Sequence, residues 1–316
     1  MQPLCLSEED VQALALAPGL VRQTMFDAFK AYSAGELLCK SKTVLPLGAG
    51  HSFQSLSAAW PAMGCAVTKW AGVIPQALPG MPSITAVILL SDVATGQLRC
   101  MLSARHATAL RTAAMSALAA QLLAPPDSRA IAFVGAGVQA HAHLLAIADS
   151  LVGLQDVLIA SRTQASAQRM AEFSRERGFR PRVVEPREAV EGADVVVTSV
   201  PESAKLQAGL DASWLRPWSF CASVDLGRSW LGSSLPAADV HVVDHPALLE
   251  SKRSSIGVSI PRDAQTLAQV VEKFPEKPRP GRAMYFSGGS AVADLAIAQL
   301  IHNEARKHGF GVRMPL

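Results

Sequence analysis

The chain has 316 residues, 49% of them hydrophobic and 17% charged, a balance that suits packed cores and excludes an intrinsically disordered chain. A net charge of +3 with no dense Lys/Arg block leaves no footprint for nucleic acid. No apolar stretch is long enough for a bilayer, since the nearest, Ala107 to Ala124, is interrupted by Arg111 and Gln121. The length predicts two domains. Five scattered cysteines without CxxC or CxH spacing imply no structural metal and a reducing, cytoplasmic setting, and the acidic start MQPLCLSEED does not read as a signal peptide.

The elements follow in order. Ser7 to Asp10 reads as a helix start, with Val11, Leu14, Val21, Met25, Phe26 and Phe29 as the apolar positions of two short helices ending at Gly35. Strand-like pieces come next, at 43–47, 53–60, 65–70, 84–90 and 98–102, separated by Gly, Pro and Asp punctuation such as LGAGH, ALPGMP and SDVATGQ. This pattern predicts an antiparallel meander. Lys69 ends one strand beside a turn-rich segment, so it is either a solvated strand-end lysine or one aimed into a cleft. A strong helix spans 107–123 and carries Arg111 and Thr112 among small apolar residues. Such an arginine either snorkels to the surface or anchors a buried anion.

Pro125, Pro126 and Asp127 mark a crossing into different sequence. RAIAFVGAGVQAHAH runs from a short apolar strand, 130–134, through Gly135, Ala136, Gly137, Val138, Gln139 and Ala140 into a helix. A dinucleotide needs this order of parts. Gly135 permits the tight turn, Gly137 lets backbone approach a pyrophosphate, Ala140 lets helix pack on strand, and the helix N-terminus offers free N–H groups. Further strands at 157–160, 182–184, 193–200, 220–224 and 240–243 alternate with helical segments, so a Rossmann-type doubly wound parallel sheet is predicted. Ser161, Arg162 and Thr163 stand where the ribose-binding residue is expected. No carboxylate is there to repel a 2′-phosphate, and Arg162 between two hydroxyls favours NADP(H), with NAD(H) possible. An ordinary surface arginine is the alternative.

After 243 the tract Ser251 to Arg282 is polar and proline-bearing, which predicts surface helices and a loop. Tyr285, Phe286 and the Ser287–Ser290 segment then lead into a helix from Ala291 to His308. That helix is expected to pack on the N-terminal half, giving an α+β domain of residues 1–124 and 290–316 around a nucleotide domain of 125–289. The histidines show no metal pattern.

LLSDVATGQL, SARHATALRTAAMSALAAQLLA, FVGAGVQAHAHL, GADVVVTSVPES and FSGGSAVADLAIAQ, in this order over nearly the whole chain, resemble the ornithine cyclodeaminase/mu-crystallin family. The resemblance implies a homodimer, a substrate and dimerisation domain completed by the C-terminal helix, and hydride exchange between a nicotinamide and the alpha carbon of a small amino or imino acid. Lys69 then matches a lysine on the substrate carboxylate, and Arg111 an arginine at the substrate and nicotinamide. Lys42 falls where relatives often place an arginine of the carboxylate clamp, keeping the charge and losing the fork. Ser83, Thr112, Gln139, Thr198, Val224 and Ser287 match cofactor-side positions.

One block departs from the family. Ungapped matching of SFCASVDLGRSWLGSSL puts Asp225 two positions before the carboxylate of cyclodeaminases and Gly227 on it. Loss of a base hurts deamination most, whereas a protonated cyclic ketimine already accepts hydride well. The expectation is therefore an NADPH-preferring reductase of cyclic ketimines, of the pyrroline-2-carboxylate or piperideine-2-carboxylate type, with Lys69, Arg111 and, if it reaches the site, Asp225 as catalytic residues. An ornithine cyclodeaminase is the alternative; an alanine dehydrogenase-like enzyme and a non-catalytic binding protein like mu-crystallin are others.

Overall fold

The computed structural model describes residues 2–75, 81–201, 208–250, 260–274 and 281–315. The N-terminal elements are β1 (Leu4–Leu6), α1 (Glu8–Ala13), α2 (Pro18–Ser33), β2 (Leu38–Cys39), β3 (Thr43–Gly48), β4 (His51–Trp60), β5 (Cys65–Val73), β6 (Ile84–Asp92), β7 (Leu98–Ser103) and α3 (Ala104–Leu123). Then come β8 (Ala130–Val134), α4 (Val138–Ser150), β9 (Asp156–Ala160), α5 (Gln164–Arg175), β10 (Arg180–Val183), α6 (Pro186–Gly192), β11 (Val195–Thr198), β12 (Ser219–Ser223) and β13 (Val240–Val243). The chain ends with α7 (Ala247–Glu250), β14 (Gln265–Thr266), α8 (Leu267–Glu272), β15 (Arg282–Phe286), α9 (Ala291–His308) and β16 (Val312–Arg313). They form two compact units, Met1–Arg111 with Gly289–Leu316, and Thr112–Gly288.

In the first unit β4 to β7 make the expected antiparallel meander, with β2 and β3 on β4. A three-residue strand too short to show a period, β1, adds in parallel to β7, and β16 closes on it. Ser7 caps α1 through a reciprocal box with Asp10, which satisfies two otherwise orphaned donors. Helix α9 packs on β4, β5 and β6. Along β5, Lys69 lies on the buried face and its neighbour Trp70 is exposed, as the two-residue period of a strand requires.

The second unit is one eight-stranded sheet in the order β10-β9-β8-β11-β12-β15-β13-β14, every pairing parallel. Continuously buried strands such as AIAFV in β8 and SFCAS in β12 are what a sheet covered on both faces demands. Strand order reverses between β8 and β11, and ligands of such sheets bind at that reversal, beyond the C-terminal strand ends.

Two expectations need correction. Tyr285 and Phe286 do not belong to a lead-in to the last helix: they end β15, a fully internal strand between β12 and β13. Four apolar residues behind Arg282 are too few to declare a period. Part of the polar tract expected as surface helices and loop, 251–259 and 275–280, lies outside the described residues. The division between units falls inside α3, between Arg111 and Thr112, rather than at Pro125. Past that point Ala113, Ala114, Met115, Ala117 and Leu118 are all buried, and Ser116 Oγ lies 3.0 Å from His143 Nε2 on α4, so this part of the helix belongs to the core of the second unit. Among the described residues no helix is long and apolar enough to cross a membrane, no group of His, Cys, Asp and Glu could hold a metal ion, and none of the five cysteines forms a disulfide.

Candidate active site

The glycine turn lies at the sheet's reversal point. Gly135 follows β8 with φ of 99°, and a Cβ there would stand 2.9 Å from the carbonyl oxygen of Ser199, which follows β11, so only glycine fits. Gly137 is the N-cap of α4, without any side-chain cap, and a Cβ there meets open space. The first N–H groups of α4 are thus presented without an internal acceptor beside the exposed Gly137 and Val138. Gln139 Oε1 is buried there with no partner. Uncapped donors, an orphaned amide oxygen and a turn closed to side chains fit a pyrophosphate-bearing dinucleotide.

At the end of β9, Thr163 caps α5 by accepting from the Ser166 N–H. Ser161 is half-buried and Arg162 exposed, and no acidic residue pairs with Arg162 among the described residues. Arg169, one helical turn beyond Ser166, donates to the Ser166 hydroxyl at 3.1 Å. This second cation was not anticipated.

Asp225 is buried and occupied within the second unit. Its Oδ1 accepts from Thr198 Oγ1 at 2.9 Å and from Ser223 Oγ at 2.8 Å, and its Oδ2 accepts from Ser229 Oγ at 2.5 Å. The following residues Leu226 and Gly227 both have positive φ, of 58° and 78°, and the Gly227 N–H donates to Ser223 Oγ at 2.9 Å. Three hydroxyls and a left-handed turn make Asp225 the pin of the loop after β12. That geometry disagrees with a free catalytic base at Asp225. Val224 donates its N–H to the Thr198 carbonyl at 2.8 Å, and Ser287 Oγ donates to Asp244 Oδ2 at 3.3 Å, so these matched positions sit at the C-terminal ends of β11, β12 and β15. Ser83, by contrast, is exposed just before β6 in the first unit, and Thr112 is buried in α3.

The first unit holds a second concentration of chemistry. Lys69 Nζ lies 2.9 Å from Asp294 Oδ1 and 2.8 Å from Oδ2, and Arg111 Nε lies 3.1 Å from Asp294 Oδ1. All three are nearly inaccessible: Lys69 and Arg111 are each 5% exposed and Asp294 0%. A buried carboxylate shared by two cations leaves the trio a net positive charge, which an anionic ligand would neutralise. One terminal nitrogen of Arg111 is 3.9 Å from where a Gly289 Cβ would be. Ser290, the N-cap of α9, holds a buried hydroxyl without partner. Burial and the charge of Arg111 hold the Lys69 ammonium down to about 8, against the opposing pull of Asp294. Lys42, exposed on the loop before β3, adds repulsion in the same direction.

Lys69 and Arg111 were therefore brought together as the resemblance implied, by β5 and α3. Asp294 was missed. Its signal was present: a lone acid inside AVADLAIA, a helix segment apolar on every side, must be buried and so must find a cation. Its place in the first turn of α9 also sets the carboxylate near the positive end of the helix.

Comparison with known proteins agrees with this architecture. The model of the ornithine cyclodeaminase/mu-crystallin family matches residues 1–309. A curated relative, the ketimine reductase mu-crystallin of Macropus fuliginosus, is 26% identical over 312 residues, covering 95% of this chain and 97% of that protein. Two solved structures share the fold. The Thermococcus litoralis Δ1-pyrroline-2-carboxylate reductase in complex with NADH and L-proline has a TM-score of 0.87 and 24% identity, over 98% of this chain and 100% of that one. An archaeal alanine dehydrogenase dimer with bound NAD has a TM-score of 0.87 and 22% identity, over the full length of both chains. The chain belongs to the ornithine cyclodeaminase/mu-crystallin family.

Proposed function

We propose that the protein is a nicotinamide-dependent reductase of cyclic ketimines, taking a small imino acid such as pyrroline-2-carboxylate to the L-amino acid. The observation that carries this reading is the buried Lys69–Asp294–Arg111 trio. The fork of Arg111 suits a carboxylate, which it can take in two parallel hydrogen bonds. Lys69 has three donors and Asp294 accepts only part of them, so an N–H is left for the substrate nitrogen. With its ammonium near 8, Lys69 is charged at neutral pH yet gives up a proton readily, as a general acid should. A reduced nicotinamide, when bound, supplies the hydride. Protonation by Lys69 makes the C=N carbon the better acceptor, so the nitrogen takes the proton and the carbon the hydride.

The pinned Asp225 supports reduction over deamination, because no carboxylate of the loop after β12 is left to act as a base. Arg162 and Arg169 support NADPH over NADH. A homodimer is supported by the exposed apolar face of the first sheet. On it Trp70 pairs with Val87 across β5 and β6 and stacks on Phe53 at 5.3 Å, and Leu45, opposite Phe53 on β3, is exposed on the same face. The reading is tested by following NADPH oxidation with pyrroline-2-carboxylate and piperideine-2-carboxylate, and ammonia release from ornithine with NAD. Ammonia release without ketimine reduction would overturn it.

A further inference from the structure

Separate from Lys69, Arg111 and Asp294, the first unit contains a cavity of about 350 Å³ at its other edge. It is lined by residues of β1, of the β6–β7 hairpin, of the second half of α9 and of β16, including Arg99, His302, Arg306 and Arg313. Three guanidiniums face one carboxylate, Asp92, and that carboxylate is already taken by Arg99. Arg313 gives one N–H to the Gln2 carbonyl, and Arg306 pairs with no acid among the described residues, Glu304 being engaged by Lys307 and His308. Among the described residues the positive charge of the cavity is thus uncompensated.

His302 lines the same space, is only 6% exposed, and has an Nδ1 without a hydrogen-bond partner. The Gln299 Oε1 beside it is likewise unpartnered. Burial first, and then the charges of Arg306, Arg99 and Arg313, hold the His302 imidazole below its ordinary value, against the opposing pull of a hydrogen bond to the Asn303 side chain. Amide side chains of Gln2, Gln97 and Asn303 complete a wall rich in donors. Guanidinium forks and amides around a concave space match the oxygens of a compact polyanion, and the volume lies at the small end of ligand clefts.

We propose that this cavity is a binding site for a small oxyanion carrying at least two negative charges, a phosphate group or a dicarboxylate, distinct from the substrate carboxylate site. The occupant sits between Arg306, Arg313 and His302, and its charge draws a proton onto His302.

Calorimetric titration of the full-length protein with inorganic phosphate and, separately, with succinate, each against potassium chloride at equal ionic strength, tests this. Saturable binding of one anion identifies its source, and binding of both places the shared charge above the skeleton. The double variant Arg306→Gln/Arg313→Gln should weaken it about tenfold or more, about 1.4 kcal/mol. Arg306→Gln alone, at an exposed helix position, should weaken it in the same sense if the double variant fails to fold. The Arg111→Lys variant should bind as before. No saturable binding, binding unchanged in the arginine variants, or binding lost with Arg111→Lys would overturn the proposal.

Discussion

Lys69 and Asp294 are 225 residues apart in sequence, yet the ammonium of one lies 2.8 Å from the carboxylate of the other, both shielded from water. The pair joins β5 to the first turn of α9, and Arg111 shares its carboxylate. Much of what can be tested follows from this contact.

Replacing Lys69 by Met should remove the proton donor while keeping the aliphatic volume. Ketimine reduction should fall by about 10²- to 10⁴-fold in kcat, the range of a lost general acid. Steady-state kinetics with intact circular dichroism checks it; near-normal turnover would end the assignment of Lys69.

The pH dependence has a definite sign. Lys69 must be protonated to act, so kcat/KM for reduction should be high below about 8 and fall as pH rises through that value. Asp294 favours the charged lysine, so Asp294→Asn should move the falling limb to lower pH. A limb that stays in place in the variant would mean that another group titrates.

Arg111→Lys keeps the charge and loses the two-pronged geometry. KM for the imino acid should rise about tenfold or more, with a smaller effect on kcat, because one charge-assisted hydrogen bond is worth about 1.5–3 kcal/mol. Comparing substrate with a neutral amide analogue reads the loss, which should vanish for the analogue.

Arg162→Ala should lower kcat/KM for NADPH by about ten- to a hundredfold and leave NADH nearly unchanged. Equal losses with both cofactors would contradict a 2′-phosphate contact.

For Asp225, occupation by three hydroxyls makes stability the readout. Asp225→Ala orphans buried donors and should cost about 3 kcal/mol or more, seen as a lowered Tm. Loss of activity with unchanged Tm would restore a chemical role.

Periodicity and punctuation made most of the fold legible. The meander, the glycine turn and nearly all parallel strands carry either a two-residue alternation or a continuous apolar run. Strands β1, β2, β14 and β16 escaped because two or three residues cannot establish a period, β15 because its apolar run reads as the approach to the last helix, and β1 and β16 exist only through partners far along the chain. The site was legible in halves. Lys69 and Arg111 came from motif matching, whereas Asp294 needed the thought that a buried acid must have a cation, and Asp225's hydroxyl partners needed coordinates, since Thr198 and Ser229 belong to different segments.

In β5 the lysine of the trio and the indole on the apolar face are consecutive residues. Deleting one residue between Cys65 and Thr68 would trade their places, sending the ammonium out and an aromatic ring in. The length of that hairpin is therefore locked: substitutions can retune chemistry or assembly one at a time, but an insertion or deletion spoils both together.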